Sequence, residues 1–280
     1  MELTEEEKLR ILSHFLLSSP PGEFSEVLTD VRVCLQDDDL LNQAALPCFK
    51  QFNHDQMIEA ELTDLGYNVL ITDYGESETD FNYYLDPRSG KYFEFDHLEK
   101  RFTGNIGKIQ KSSDIRDAID FELNDYCISY YPQGTVTVYE KPDKIIICIS
   151  AFRFSPDNFW NGRWRSIWQL EGISKSKATL NGFLKVECHY YEDGNVQSTI
   201  EKQYTQEIDM GDQKSTATNV VQAIKELEQK FQQSLEEQYQ IMGDTTFKSL
   251  RRKLPITGTK VEFANILAYR VTSEMSGDQI

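Results

Sequence analysis

Phe152-Arg153-Phe154-Ser155-Pro156-Asp157-Asn158-Phe159-Trp160-Asn161-Gly162-Arg163-Trp164-Arg165-Ser166-Ile167-Trp168 is the stretch that decides the fold. It holds all three tryptophans of the chain. Asn161-Gly162 is the dipeptide best suited to a type I′ turn, which needs positive φ at both central residues. The sequence therefore predicts a hairpin turning at Asn161-Gly162. The apolar run Lys144 to Phe152 leads in, and Arg163 to Leu170 leads out. On the outgoing strand Trp164, Ser166 and Trp168 share one face, and Arg163, Arg165 and Ile167 the other. By itself this pattern describes a packed sheet centre without chemistry.

Outward from that hairpin, five strand segments follow one another: Thr135 to Glu140, Lys144 to Phe154, Arg163 to Gly172, Ala178 to Tyr191 and Asn195 to Ile208. Pro142-Asp143 and Asp193-Gly194 supply further hairpin turns. Sequential hairpins give an antiparallel meander, whose two edges need a partner or a cover. Thr216 to Met242 reads as a long helix, with Val220, Ile224, Leu227, Phe231, Leu235 and Tyr239 on one stripe. Lys225, Glu226, Glu228, Gln232 and Glu236 lie on the opposite face. Gly243 suits the end of that helix and Asp244 the cap of the next.

Toward the N-terminus, Thr4-Glu5-Glu6-Glu7 is a capping box opening a helix. A second helix fits Glu23 to Gln36. A third fits Leu40 to Asp55, disturbed by Pro47. Three amphipathic helices with short loops suggest an antiparallel bundle. Val69 to Thr72, Phe81 to Leu85 and Tyr92 to Phe95 read as short strands of a small module. Lys100 to Ser113 reads as polar and irregular, and Asp114 to Tyr131 as a helix. The fold class is α+β. The expected divisions are 1–60 (helical stalk), 61–111 (β-rich module), 112–242 (helix, sheet and covering helix) and 243–280 (basic segment and terminal arm).

The net charge is −17 over 280 residues, which argues against nucleic-acid binding. No apolar run approaches a membrane span, and the acidic N-terminus is no secretory signal. Five widely spaced cysteines without a C-x-x-C pair point to a reduced, intracellular protein. His14, His54, His97 and His189 form no ligand-spaced pair, and Asp37-Asp38-Asp39 lacks the spacing of a calcium loop. No catalytic residue, cofactor or metal is expected. Lys248, Arg251, Arg252, Lys253 and Lys260 form a basic island without an acidic residue, which invites an acidic partner. Beyond Pro255, Val261 to Met275 is amphipathic, with Phe263, Ile266, Leu267, Arg270, Val271 and Met275 on one stripe. Such a terminal helix either packs on its own protein or engages a groove on another.

Four motifs, in order along nearly the whole chain, carry a family resemblance. They are Pro20-Pro21-Gly22-Glu23-Phe24, Asn158 to Ser166, His189 to Gln197, and Asp244-Thr245-Thr246-Phe247-Lys248 with Leu250-Arg251-Arg252. Together they resemble the alpha subunit of the F-actin capping protein. The resemblance implies a helical stalk shared with a beta subunit. It also implies one continuous sheet built from five strands of each subunit, and a C-terminal tentacle that holds actin. Lys248, Arg251, Arg252, Lys260, Phe263, Ile266, Leu267, Arg270 and Val271 are the actin-binding residues it implies. Gly258 stands where many members carry a basic residue, and Phe263 where Trp is usual.

The implied function is calcium-independent capping of filament barbed ends in the cytoplasm, without severing, as an obligate heterodimer. Phosphoinositides, a myotrophin-like inhibitor and capping-protein-interaction-motif proteins are the implied regulators. The competing interpretation is a non-catalytic dimeric scaffold that uses its sheet edge for assembly and its basic arm for another acidic partner.

Overall fold

The computed structural model describes residues 4–80, 82–109, 112–192 and 195–247. Two compact units divide the chain, with the boundary between Lys225 and Glu226.

Three helices begin the first unit: α1 (Glu5–Leu17), α2 (Phe24–Leu35) and α3 (Asp38–Asp55). The capping box forms as its sequence demands. Thr4 N donates to Glu7 Oε2 at 2.9 Å and Glu7 N to Thr4 Oγ1 at 3.3 Å. Gln36 ends α2 in the left-handed conformation and Asp37 caps α3. Pro47 sits inside α3 without ending it. Leu16, Phe24, Cys48, Phe49 and Phe52 pack between the three helices.

The module holds two small antiparallel sheets. One pairs β1 (Glu59–Leu62) with β2 (Tyr67–Leu70). The other has the order β3 (Tyr83–Asp86), β4 (Lys91–Asp96), β5 (Arg101–Ile109). Ala60, Val69, Ile71, Tyr84, Phe93 and Phe95 form their common core. The segment expected to be irregular, Lys100 to Ser113, supplies β5. Two register shifts against β4 break the alternation by which a strand is recognised. Helix α4 (Asp114–Tyr130) follows, capped by Ser113.

The large sheet is an antiparallel meander of β6 (Gly134–Lys141), β7 (Lys144–Ser155), β8 (Trp160–Glu171), β9 (Lys177–Tyr190) and β10 (Val196–Asp209). Pro142-Asp143 forms the first turn, with Asp143 left-handed at φ 56°. Asp193-Gly194 lies outside the described residues, but the pairs Tyr190–Val196 and His189–Gln197 bracket that hairpin.

The Asn161-Gly162 turn is a correction. Both residues lie inside β8, paired with Phe154 and Arg153. The chain reverses earlier, through a 3-10 turn at Pro156–Asn158 closed by Phe159 at φ 57°. Pro156 pre-sets the first turn residue and needs no amide partner. The earlier start of β8, at Trp160, adds the ladder pairs Ser155–Trp160, Phe154–Asn161 and Arg153–Gly162 at the turn end of the hairpin. Trp168 is fully buried on the face predicted for it, while Trp160 and Trp164 are half-buried.

Helix α5 (Gln213–Ile241) carries the predicted stripe, and Val220, Ile224 and Phe231 on it are buried. Tyr239 is exposed, and Glu228, expected on the open face, is buried. The helix does not stop at Gly243. A π-helical turn, Met242–Phe247, continues it, and Thr245 Oγ1 donates to Ile241 O at 2.6 Å. The terminal helix over Val261 to Met275 lies outside the described residues.

Candidate functional site

The two edges of the meander differ. At β6, Tyr139 Oη donates to Leu70 O at 2.8 Å, and Leu70 N donates to Thr137 Oγ1 at 3.0 Å. Met57, Leu70, Tyr139, Ile146 and Cys148 share a core there, so the module packs on the face of β6 and β7, while Arg116 Nε of α4 donates to Val138 O, a main-chain carbonyl of β6, at 2.9 Å. At the other edge β10 runs for fourteen residues, and no described strand pairs with its outer side. Ile208 is its one fully buried residue, while Val196, Gln197, Thr199, Glu201, Lys202 and Gln203 are exposed. A long unpaired strand presents a row of free amides and carbonyls, which is a template for a strand of another chain.

Three of the four sequence motifs meet near this edge. Glu23 Oε1 accepts from Asn161 Nδ2 at 2.7 Å and lies 2.7 Å from His189 Nδ1. His189 Nε2 lies 3.2 Å from Asn195 Oδ1. Gly22, left-handed at φ 82°, leaves room for the Phe154 ring, which a side chain there would meet at 3.1 Å. One carboxylate thus fastens the corner between α1 and α2 to the hairpin ends of the sheet. The motifs quoted from sequence are joints of the scaffold, a role that periodicity does not reveal.

The same face of β8 and β9 holds charge. Arg163 donates to Met57 O at 3.0 Å and to Ser150 Oγ at 3.1 Å, and burial pushes its guanidinium down to about 10. Arg165 is paired with Glu187, which also accepts from Gln56 Nε2 at 3.0 Å and lies 3.3 Å from Lys185. Burial raises the Asp55 carboxyl, and the nearby Arg165 opposes that.

A buried polar chain crosses the module. Asn53 Nδ2 donates to His97 O at 3.0 Å, Tyr84 Oη lies 3.0 Å from His97 Nε2, and His54 Nε2 lies 2.5 Å from Tyr84 Oη. His54 Nδ1 faces Asp73. Burial, reinforced by His54, lowers His97 to about 4, so it is neutral at physiological pH. The ligand atoms of His54, Asp73 and Glu76 lie within 4.8 Å of one another, a spacing open to a metal ion. Here Lys50 already pairs with Glu76, and His54 Nδ1 is hydrogen-bonded with Asp73, so protein groups already engage both carboxylates.

The implied actin-binding residues, Lys248, Arg251, Arg252, Lys260, Phe263, Ile266, Leu267, Arg270 and Val271, all lie outside the described residues.

The family model "F-actin capping protein alpha subunit" matches residues 12–274. The chain belongs to that family. Among relatives, the F-actin-capping protein subunit alpha of Dictyostelium discoideum is 38% identical, over 98% of this chain and 99% of its own length. The Caenorhabditis elegans subunit is 36% identical over the same shares. A solved structure, the homodimeric actin capping protein alpha subunit from Plasmodium berghei, superposes with a TM-score of 0.76 at 20% identity, over 90% of this chain and 98% of that one. That likeness shows the fold. The capping-family arrangement of helices, meander and long helix is the one expected from sequence. No helix among the described residues is long and apolar enough to cross a membrane.

Proposed function

We propose that this chain is the alpha subunit of a heterodimeric F-actin capping protein that occupies filament barbed ends and blocks subunit addition and loss. The observation that carries the heterodimer is the open β10 edge, opposite a strand that α4 engages through Arg116 and Val138 O. A beta subunit that adds a strand to β10 extends the meander and removes the exposed edge. The chemistry of capping is occlusion. The basic island, with Lys248, Arg251 and Arg252, steers the acidic chain to an acidic actin surface, and apolar arm residues slow dissociation. Neither step uses calcium or cuts a filament. Phosphoinositides and a myotrophin-like inhibitor would compete for the same cations, and interaction-motif proteins would act at the stalk. The place of work is the actin cytoskeleton of the cytoplasm.

Two adjacent proline variants test the edge. Consecutive amides of an edge strand point alternately inward and outward. Of Glu201→Pro and Lys202→Pro, one removes an N–H aimed at β9 and the other an N–H aimed off the sheet. Each should weaken co-purification with a co-expressed beta subunit at least tenfold. Retention at the wild-type level by both would remove the edge from the interface. A complex that forms but leaves filament ends growing would favour the scaffold.

A further inference from the structure

We propose that the outward face of α4 is a docking site for a basic amphipathic helix of a protein other than the beta subunit.

Helix α4 commits its inner face to its own fold. Ile119, Leu123, Tyr126 and Cys127 are buried, and Arg116 turns inward to Val138 O. The opposite stripe, Asp117, Phe121, Asp125 and Ile128, recurs at spacings of four, four and three and is exposed throughout. Phe121 and Ile128 are each 69% exposed, and no large hydrophobic among the described residues is more so. Folding does not require them there. Phenylalanine and isoleucine are poorer helix formers than the lysine, glutamate or glutamine that an exposed position would otherwise carry. Single exposed apolar side chains are ordinary. Two on one stripe, about 10.5 Å apart along the helix axis, make a two-turn seam.

The seam lies away from the edge that strand addition would use. Helix α4 engages β6, and β10 is four strand spacings from β6, about 19 Å. A strand added to β10 lies further still and leaves the seam uncovered.

Charge specifies the occupant. Over Asp114–Tyr130 the sequence has five carboxylates and one guanidinium, Arg116, which is buried. Asp120 is taken up by Arg88 of the β3–β4 turn. Asp117 and Asp125 bracket Phe121 on the open side. The Asp117 side chain remains 54% exposed although Arg116 donates to it. A cavity of about 380 Å³ between α4 and Arg88 has Asp117, Phe121 and Asn124 on its wall. A helix laid along α4 meets the seam with a residue every three or four positions. Its apolar side chains reach Phe121 and Ile128, and lysine or arginine beside them reaches Asp117 and Asp125. An acidic helix would set like charges against each other, and a neutral one would desolvate the carboxylates without a partner. Two apolar anchors make a small interface of the weak, exchangeable class.

The test uses the assembled heterodimer and a fluorescein-labelled synthetic helix with leucine on one face and lysine on the other. Fluorescence anisotropy should show saturable binding. Phe121→Ser combined with Ile128→Ser leaves the charge unchanged and should weaken binding about tenfold or more. Asp117→Asn combined with Asp125→Asn should weaken it and flatten its salt dependence. Both double variants alter exposed side chains, so each should co-purify with the beta subunit as the wild type does, with an unchanged circular dichroism spectrum. Equal binding by the wild type and the serine variant, or none by the wild type, would overturn the proposal. So would two other results that assign the seam elsewhere. One is cross-linking of p-benzoyl-phenylalanine at position 121 to the beta subunit. The other is self-association of the heterodimer that the serine variant abolishes.

Discussion

Gly182→Ala should destabilise the sheet by about 3 kcal/mol or more, the upper range for an overpacked core. Gly182 sits opposite Trp168, where β8 meets β9. A Cβ there would stand 2.1 Å from Trp168 Cζ3 and 2.4 Å from Cε3. The indole is fully buried and rigid, so neither ring nor backbone can give way cheaply. Gly182 is needed for space, not for a left-handed backbone, because its φ is not positive. Urea denaturation of the assembled protein checks the size of the loss. Trp168→Leu, costly alone through the cavity it leaves, should recover part of the stability in the Gly182→Ala background. Losses that simply add would show that the two residues do not compete for one volume.

Glu187→Gln should cost about 3 kcal/mol, because it leaves Arg165 buried without its carboxylate. The side chains of Arg165 and Glu187 are 7% and 17% exposed. The pH dependence has a definite sign. Burial pushes the Glu187 carboxyl up, but Arg165, the hydrogen bond from Gln56 and Lys185 together hold it below its ordinary 4.5. A carboxylate depressed in the folded state binds fewer protons there than in the unfolded chain. Its stabilisation is therefore complete above pH 4.5 and disappears as the pH falls through the lower folded value. The gap between wild type and Glu187→Gln should stay constant from neutral pH to about 5 and narrow below it. Arg165→Met combined with Glu187→Leu should be milder than Glu187→Gln alone, since an apolar pair leaves no buried charge. A gap that widened on acidification would contradict the assigned role of Glu187.

The parts of the fold legible in sequence were those with strong local signals. Thr4 and Glu7 specify their cap by side-chain chemistry alone, and the five long strands follow from β-branched runs between turns. Asn161-Gly162 misled because turn preference is local and the hairpin is not. Phe159 takes the left-handed residue that glycine would normally supply, and Asn161 is held in the strand by Glu23, far away in sequence. Strand β5 was hidden by its two bulges, which erase the period of two. Burial of Arg163 and Arg165 was invisible because charged residues are ordinarily solvated, and only tertiary partners reveal otherwise. The open edge was partly legible: a meander must have two edges, but which one a neighbouring element engages depends on Arg116 reaching Val138 O.

Barbed-end elongation from filament seeds, followed with pyrenyl-actin, tests the central claim most directly. The heterodimer of this chain with a beta subunit is compared with one in which Lys248, Arg251 and Arg252 are all changed to Ala. Substoichiometric arrest by the wild-type heterodimer, and much weaker arrest by the triple variant, is the predicted result. Undiminished elongation in the presence of a well-folded wild-type heterodimer would contradict it.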